Sequence, residues 1–208
     1  RPEYSRESIM ELASDSNILE DKQAYINILN KWKAKQSSPK PVMILINTSG
    51  GGIRSATFTM NALQTLDSIM GGKLMQQTFL ISGASGGMLG AAYFRELYYR
   101  KQKGASIDLQ DKQYVKDISR DLLNPLFSSF VTRDLIGPAK PFQAHGYSYT
   151  KDRGYAFEQK LNENTRGYLN KTLNDYRKPE ANAEIPMMFF NAVITRDGRK
   201  LVMATHPA

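Results

Sequence analysis

Thr78-Phe79-Leu80-Ile81-Ser82-Gly83-Ala84-Ser85-Gly86-Gly87-Met88-Leu89-Gly90-Ala91-Ala92-Tyr93-Phe94 places a serine between two glycines at the centre of the chain's clearest structural pattern. A short apolar run of strand length ends in Gly-x-Ser-x-Gly, and a helical pattern follows at once. Gly83 and Gly87 flank Ser85, and the missing Cβ atoms allow a sharp strand-to-helix elbow that pushes Oγ outward. The small residues Gly86, Gly87, Gly90, Ala91 and Ala92 would let the helix lie close to its neighbours. Its N-terminal amides, with Gly86 first, would point at the serine, where their partial positive charge favours a developing oxyanion. Composition alone would produce such a motif in roughly one chain in ten; the strand before it and the helix after it give it meaning.

Upstream, a second apolar run, Val42-Met43-Ile44-Leu45-Ile46-Asn47, also ends in glycines: Thr48-Ser49-Gly50-Gly51-Gly52-Ile53-Arg54-Ser55. Three consecutive glycines can aim several backbone N–H groups into one concavity that holds an anion or an oxyanion. Losing one such donor typically costs about 3 kcal/mol of barrier. A P-loop is excluded because no Gly-x-x-x-x-Gly-Lys run is present, and a Rossmann turn would need glycine where Ser55 stands. Arg54 reads either as a helix-start charge or as a grip on an anionic substrate group.

Gly50-Gly51-Gly52-Ile53-Arg54 followed by Gly83-Ala84-Ser85-Gly86-Gly87 resembles the patatin-like phospholipases and the related cytosolic phospholipase A group, strongly to about Leu97 and loosely to Ala208. The resemblance implies an α/β fold, a three-layer α/β/α arrangement with a central, mostly parallel sheet. It implies lipid ester hydrolysis with Ser85 as nucleophile, an oxyanion hole from the amides of Gly51 and Gly52 with Gly86, an elbow held by Gly83 and Gly87, and Arg54 on a phosphate or similar head group. The family uses a Ser-Asp dyad, so neither a histidine nor a cofactor is implied. Thr48-Ser49 precede the glycines where many patatins carry Asp, which is closer to the cytosolic phospholipase pattern.

The family's catalytic Asp opens an Asp-Gly-Gly or Asp-Gly-Ala turn, whereas Asp197-Gly198 is followed by Arg199. Apolar runs on both sides make that turn a hairpin. The dyad Asp is therefore expected beyond Ala208, with the chain a fragment of a larger protein, incomplete at the C-terminus of its hydrolase domain and poorly active alone. Two alternatives stay open: a thioesterase or small-ester hydrolase on the same scaffold, and a non-catalytic lipid- or anion-binding module in which Ser85 is only a ligand.

With 208 residues, 41% of them hydrophobic, the chain can bury a sizeable core as one domain. It has no cysteine, which excludes disulfides and thiolate metal sites, and no His, Asp or Glu cluster has metal-ligand spacing. There is neither a transmembrane run nor a signal-peptide core. A net charge of +8 suits a polyanionic surface; for a lipid hydrolase that is an anionic membrane touched peripherally, and no nucleic-acid-binding motif is recognisable.

Residues 1–39 read as an N-terminal helical extension, helical from Arg6 to about Lys35, and 40–208 as the hydrolase domain. Within it the pattern predicts a helix from Ile53 to Met70 closed by Gly71-Gly72, a strand at Thr78–Ser82 parallel to the first, and a helix from Gly86 to about Lys103. That helix carries Tyr93, Phe94, Tyr98 and Tyr99 among Arg95, Arg100, Lys101 and Lys103, a run that fits either a core face with snorkelling cations or a lipid or nucleic-acid surface. Residues 104–150 read as irregular apart from a helix at Leu109–Leu123, with Leu122, Leu126, Phe127 and Phe130 available for an acyl pocket or lid. His145 reads as a surface loop residue, or as the base that would extend the dyad to a triad. A helix over Arg153–Tyr168, an exposed polar segment from Lys171 to Glu184, and strands at Pro186–Thr195 and Lys200–Ala204 complete the reading.

Overall fold

Two parallel pairings build the centre of the molecule. The computed structural model describes residues 5–135, 140–144 and 146–206, and its main sheet runs in the order β1 (Ile44–Thr48), β2 (Thr78–Gly83), β5 (Met187–Val193), β6 (Lys200–Met203). β1 and β5 both lie parallel to β2, and only β6 turns back antiparallel on β5. The fold is α/β with a mostly parallel sheet, as expected. Ile44, Ile46, Ile81, Met188 and Phe190 face one side of this sheet, where α3 (Gly52–Ile69) and α5 (Ser85–Gln102) bury Ala56, Met60, Leu63, Met88, Ala91, Tyr93, Phe94 and Leu97.

The two helices touch through backbone. A Cβ on Gly86 would overlap the carbonyl of Gly52, and one on Gly90 the carbonyl of Ala56. Only glycine permits that approach, which is why small residues open α5. The φ of Gly71 is 61°, and Gly72 returns its N–H to Asp67 O at 2.8 Å, closing α3 where the sequence placed its end. A four-residue turn, α4 (Leu74–Gln77), leads into β2.

The opposite face is covered by the N-terminal segment. In place of one helix, Ser14 adopts an extended conformation (φ −68°, ψ 151°) and separates α1 (Arg6–Leu12) from α2 (Asp15–Ala34); an extended serine ahead of an acidic first turn favours starting a new helix over continuing the old one. Ile28 and Trp32 are buried, Trp32 stands edge-on to Phe79 at 6.0 Å, and Tyr25 edge-on to Phe189 at 6.4 Å. Ile9, Leu12 and Ile18 are exposed. β1 is an edge strand: Val42, Met43 and Leu45 remain in solvent beside and along it.

Three further expectations are corrected. The helix over Leu109–Leu123 is reduced to α6 (Gln113–Ile118), because Asp108, Asp111 and Asp121 each accept a nearby backbone N–H (Gln110, Gln113 and Leu123) and interrupt the helix. The region after it, expected to be irregular, is ordered. It holds α7 (Leu123–Ser129), a π-helical turn (Phe130–Leu135) and a hairpin of β3 (Pro141–Ala144) and β4 (Tyr147–Thr150), packed through Phe142 on Tyr155 of α8 (Arg153–Asn164). Pro141 is tolerated as the first strand residue.

Third, the polar segment from Lys171 to Glu184 contains α9 (Asn174–Ala181) and buries Tyr176, Pro179 and Glu180. Glu180 pairs with buried Arg95 of α5, whose guanidinium also donates to Pro186 O at 2.8 Å and lies 4.5 Å over the Tyr176 ring. The wholly buried Glu96 accepts from Arg100, Lys171 and the Tyr176 hydroxyl. Burial, with Glu96 adjacent, holds that phenol above its ordinary pKa. The basic-aromatic run of α5 is core only in its first part: Tyr93, Phe94 and Arg95 are buried, Tyr98, Tyr99 and Arg100 half-buried, and Lys101 and Lys103 exposed.

Candidate active site

Both glycine turns arrive at one place because β1 and β2 are parallel and in register at their carboxyl ends, Thr48 opposite Gly83. Open α/β sheets place their sites at such an edge. Ala84 N–H reaches Thr48 O at 3.4 Å, and the chain then turns sharply: Ser85 has φ 55°, a left-handed conformation, and is exposed as the first residue of α5. Few non-glycine residues adopt that conformation, and those that do are held there by their surroundings at an energetic cost.

Those surroundings are the glycines. A side chain at Gly83 would strike Thr48, and one at Gly87 would strike Ser49 O, so the two elbow glycines are fixed by the neighbouring loop. Gly50 comes up directly behind the serine, its absent Cβ position 3.3 Å from Ser85 Cβ. In that loop Gly51 has φ 140° and Gly52 φ 61°, and Ser55 Oγ donates to Ser49 O at 2.7 Å, tying the loop to the first turn of α3.

The N-termini of α3 and α5 converge here. First-turn N–H groups have no intrahelical acceptor, and Gly51, Gly52 and Gly86 line the same cavity as Ser85. A serine hydroxyl beside such donors has the geometry that acyl transfer uses. The cavity holds about 720 Å³, and its wall is largely hydrocarbon: Met88 and Leu89 of α5, Leu122 and Leu123, Phe157 of α8, and Phe190.

Arg54 stands exposed at the rim and forms no ion pair with the described residues. Asn191 lines the cavity from β5, and its Nδ2 donates to Ser82 Oγ at 3.0 Å and Gly83 O at 3.2 Å, bracing the strand that feeds the elbow.

No protein-family model and no curated protein matches the chain.

Every residue singled out in the two turns, Gly51, Gly52, Arg54, Gly83, Ser85, Gly86 and Gly87, is at this junction; Gly87 packs behind it, and the rest line the cavity. Of the four apolar residues considered for an acyl pocket, Leu122 lines it, whereas Leu126, Phe127 and Phe130 do not. Asn191 and Phe157 were missed. Asn191 carried a signal, a polar residue at the carboxyl end of the apolar run Met187–Val193.

Among the described residues no Asp, Glu or His lines the cavity. Asp197 occupies the β5–β6 turn and is held by Arg199, through Nε at 2.9 Å and the backbone N–H at 3.2 Å, which keeps its carboxyl below the usual range. Since β5 is level with Gly83 at Phe190 and runs three residues further before that turn, Asp197 lies on the order of 10 Å past the elbow along the strand. His145 lies outside the described residues. No group of His, Asp or Glu among the described residues is placed to hold a metal ion, and no described helix is long and apolar enough to cross a membrane.

Proposed function

We propose that the chain is a serine acyl hydrolase acting on lipid esters, with the three-layer architecture and site plan of the patatin-like phospholipases. One observation carries this reading: Ser85 is held at φ 55° against a triglycine loop, at the mouth of an apolar cavity of about 720 Å³. A left-handed serine costs stability, and exposing Oγ to the cavity is what that geometry achieves.

In the reaction, Ser85 Oγ attacks the ester carbonyl while its proton passes to a carboxylate supplied from outside the described residues. The amides of Gly51, Gly52 and Gly86 receive the tetrahedral oxyanion. The intermediate collapses with loss of the alcohol, which takes the proton, and water then cleaves the acyl-enzyme to the fatty acid and free Ser85. The hydrocarbon wall receives the acyl chain, and the Arg54 guanidinium can pair with an anionic head group.

The test is intact-mass detection of fluorophosphonate labelling, with Ser85→Ala as control and formate added to stand in for the activating carboxylate. A single adduct on the wild-type chain, absent from Ser85→Ala and forming faster with formate, is the expected outcome. Absence of an adduct on Ser85 at every formate concentration removes the hydrolase reading and leaves a lipid- or anion-binding module in its place.

A further inference from the structure

Three glycines in a row have little hold on their own conformation, since glycine gives up more backbone freedom on folding than any other residue. The amides of Gly51 and Gly52 must nevertheless keep one arrangement if the loop is to receive an oxyanion. Among the described residues, one side chain hydrogen-bonds to the backbone between Thr48 and Gly52: Ser55, whose Oγ donates to Ser49 O at 2.7 Å.

That bond is not the one a helical hydroxyl makes by default. Such a group ordinarily turns back to the carbonyl four residues earlier, as Thr57 does to Ile53 O at 2.8 Å and Thr65 to Asn61 O at 2.9 Å on the same helix. Ser55 leaves Gly51 O to its own backbone N–H, at 3.4 Å, and reaches two residues further back. The carbonyl it holds lies where the two helices meet: a Cβ on Gly87 of α5 would come within 2.4 Å of Ser49 O and 3.2 Å of Ser55 Oγ. A peptide unit is planar and trans, so its C=O and N–H point in opposite directions. Pinning Ser49 O therefore also fixes the direction of Gly50 N–H and the entry into the turn.

Resting on the reading of Ser85 as the nucleophile, we propose that Ser55 is the positioning residue of the oxyanion loop. It is not among the residues that line the cavity, and its proton stays on its own oxygen throughout the reaction. It acts by keeping the Ser49–Gly50 peptide from rotating, and through that peptide it holds the amides of Gly51 and Gly52.

Ser55→Ala removes the hydroxyl and leaves Cβ in place. Fluorophosphonate inactivation with added formate, followed over a range of reagent concentrations, separates the rate at saturation from the concentration that gives half of it. Losing an oxyanion donor outright costs about 100- to 1,000-fold, and a donor that is loosened but still present costs part of that, so the rate at saturation should fall about tenfold. The half-saturating concentration and the acceleration by formate should stay as in the wild type, because neither the apolar cavity nor proton removal involves Ser55. In parallel, the backbone amide order parameters of Gly50, Gly51 and Gly52 should fall from about 0.85 to below about 0.6.

An unchanged rate at saturation overturns the assignment. So does a loss confined to the half-saturating concentration, or a loss of the formate acceleration, which would mean that Ser85 itself has shifted. Order parameters that stay at the wild-type level overturn it as well. If they fall while the wild-type chain takes no label at Ser85, Ser55 holds the loop and the hydrolase reading is what fails.

Discussion

The two halves of α5 are fixed in place by opposite means. Its first two turns, Ser85 to Ala92, are held by what is missing: Gly86, Gly87 and Gly90 let the helix rest on the backbone of Gly52, Ser49 and Ala56. Its later turns are held by charge, with Arg95 locked to Glu180 and Pro186 O, and Glu96 shared by Arg100, Lys171 and Tyr176. A backbone contact leaves no freedom to repack, whereas a charge cluster can in principle be exchanged as a unit. The rigid half presents the serine, and the exchangeable half anchors α5 to α9 and the start of β5.

The largest effect should come from the glycine half. Gly86→Ala forces a methyl into the carbonyl of Gly52, and neither helix can yield without moving Ser85; the expected loss exceeds about 4 kcal/mol in chemical denaturation, enough to prevent folding. A Gly86→Ala chain with wild-type stability would break the contrast. Next, Glu180→Ala leaves Arg95 charged and buried, at an expected cost of about 3–5 kcal/mol. The paired change Arg95→Met with Glu180→Leu should recover to within about 2 kcal/mol of wild type by the same measurement; if the pair is no better than the single variant, the charges are as irreplaceable as the glycines. The smallest effect concerns the elbow alone. Ser85→Gly should be more stable than Ser85→Ala by about 1 kcal/mol, since both lack the hydroxyl but only glycine accepts φ 55° without strain. Equal stability of the two variants would mean that the elbow stores no strain.

The glycine half was legible in the sequence because its physics is local: strand, turn residues and helix start are written next to one another, and two parallel strands bring their turns together. The charged half was not. Arg95 and Glu180 are separated by 85 positions, and each read as a surface charge until its partner appeared. The same reason hid α9, whose buried residues sit among Asp175, Arg177 and Lys178, and gave Asn191 no visible partner. The helix expected at Leu109–Leu123 was too long because aspartate side chains there compete for backbone N–H groups, and periodicity does not register that competition. The β3–β4 hairpin escaped because Pro141 and Gly146 mark loops in most contexts, yet here they serve as the first residue of a strand and the turn beside it.

The position of β1 at the rim of the sheet sets how this molecule behaves in a crowd. β6, at the other rim, is four residues long and begins with a lysine, whereas β1 has Leu45 in solvent, Val42 and Met43 exposed just before it, and no charged side chain anywhere along it. An unpaired strand edge with that composition is a template for addition of another extended segment. At high concentration the chain should therefore lose solubility through this rim before it loses its fold, and a lysine at Leu45 is the change that would quieten it.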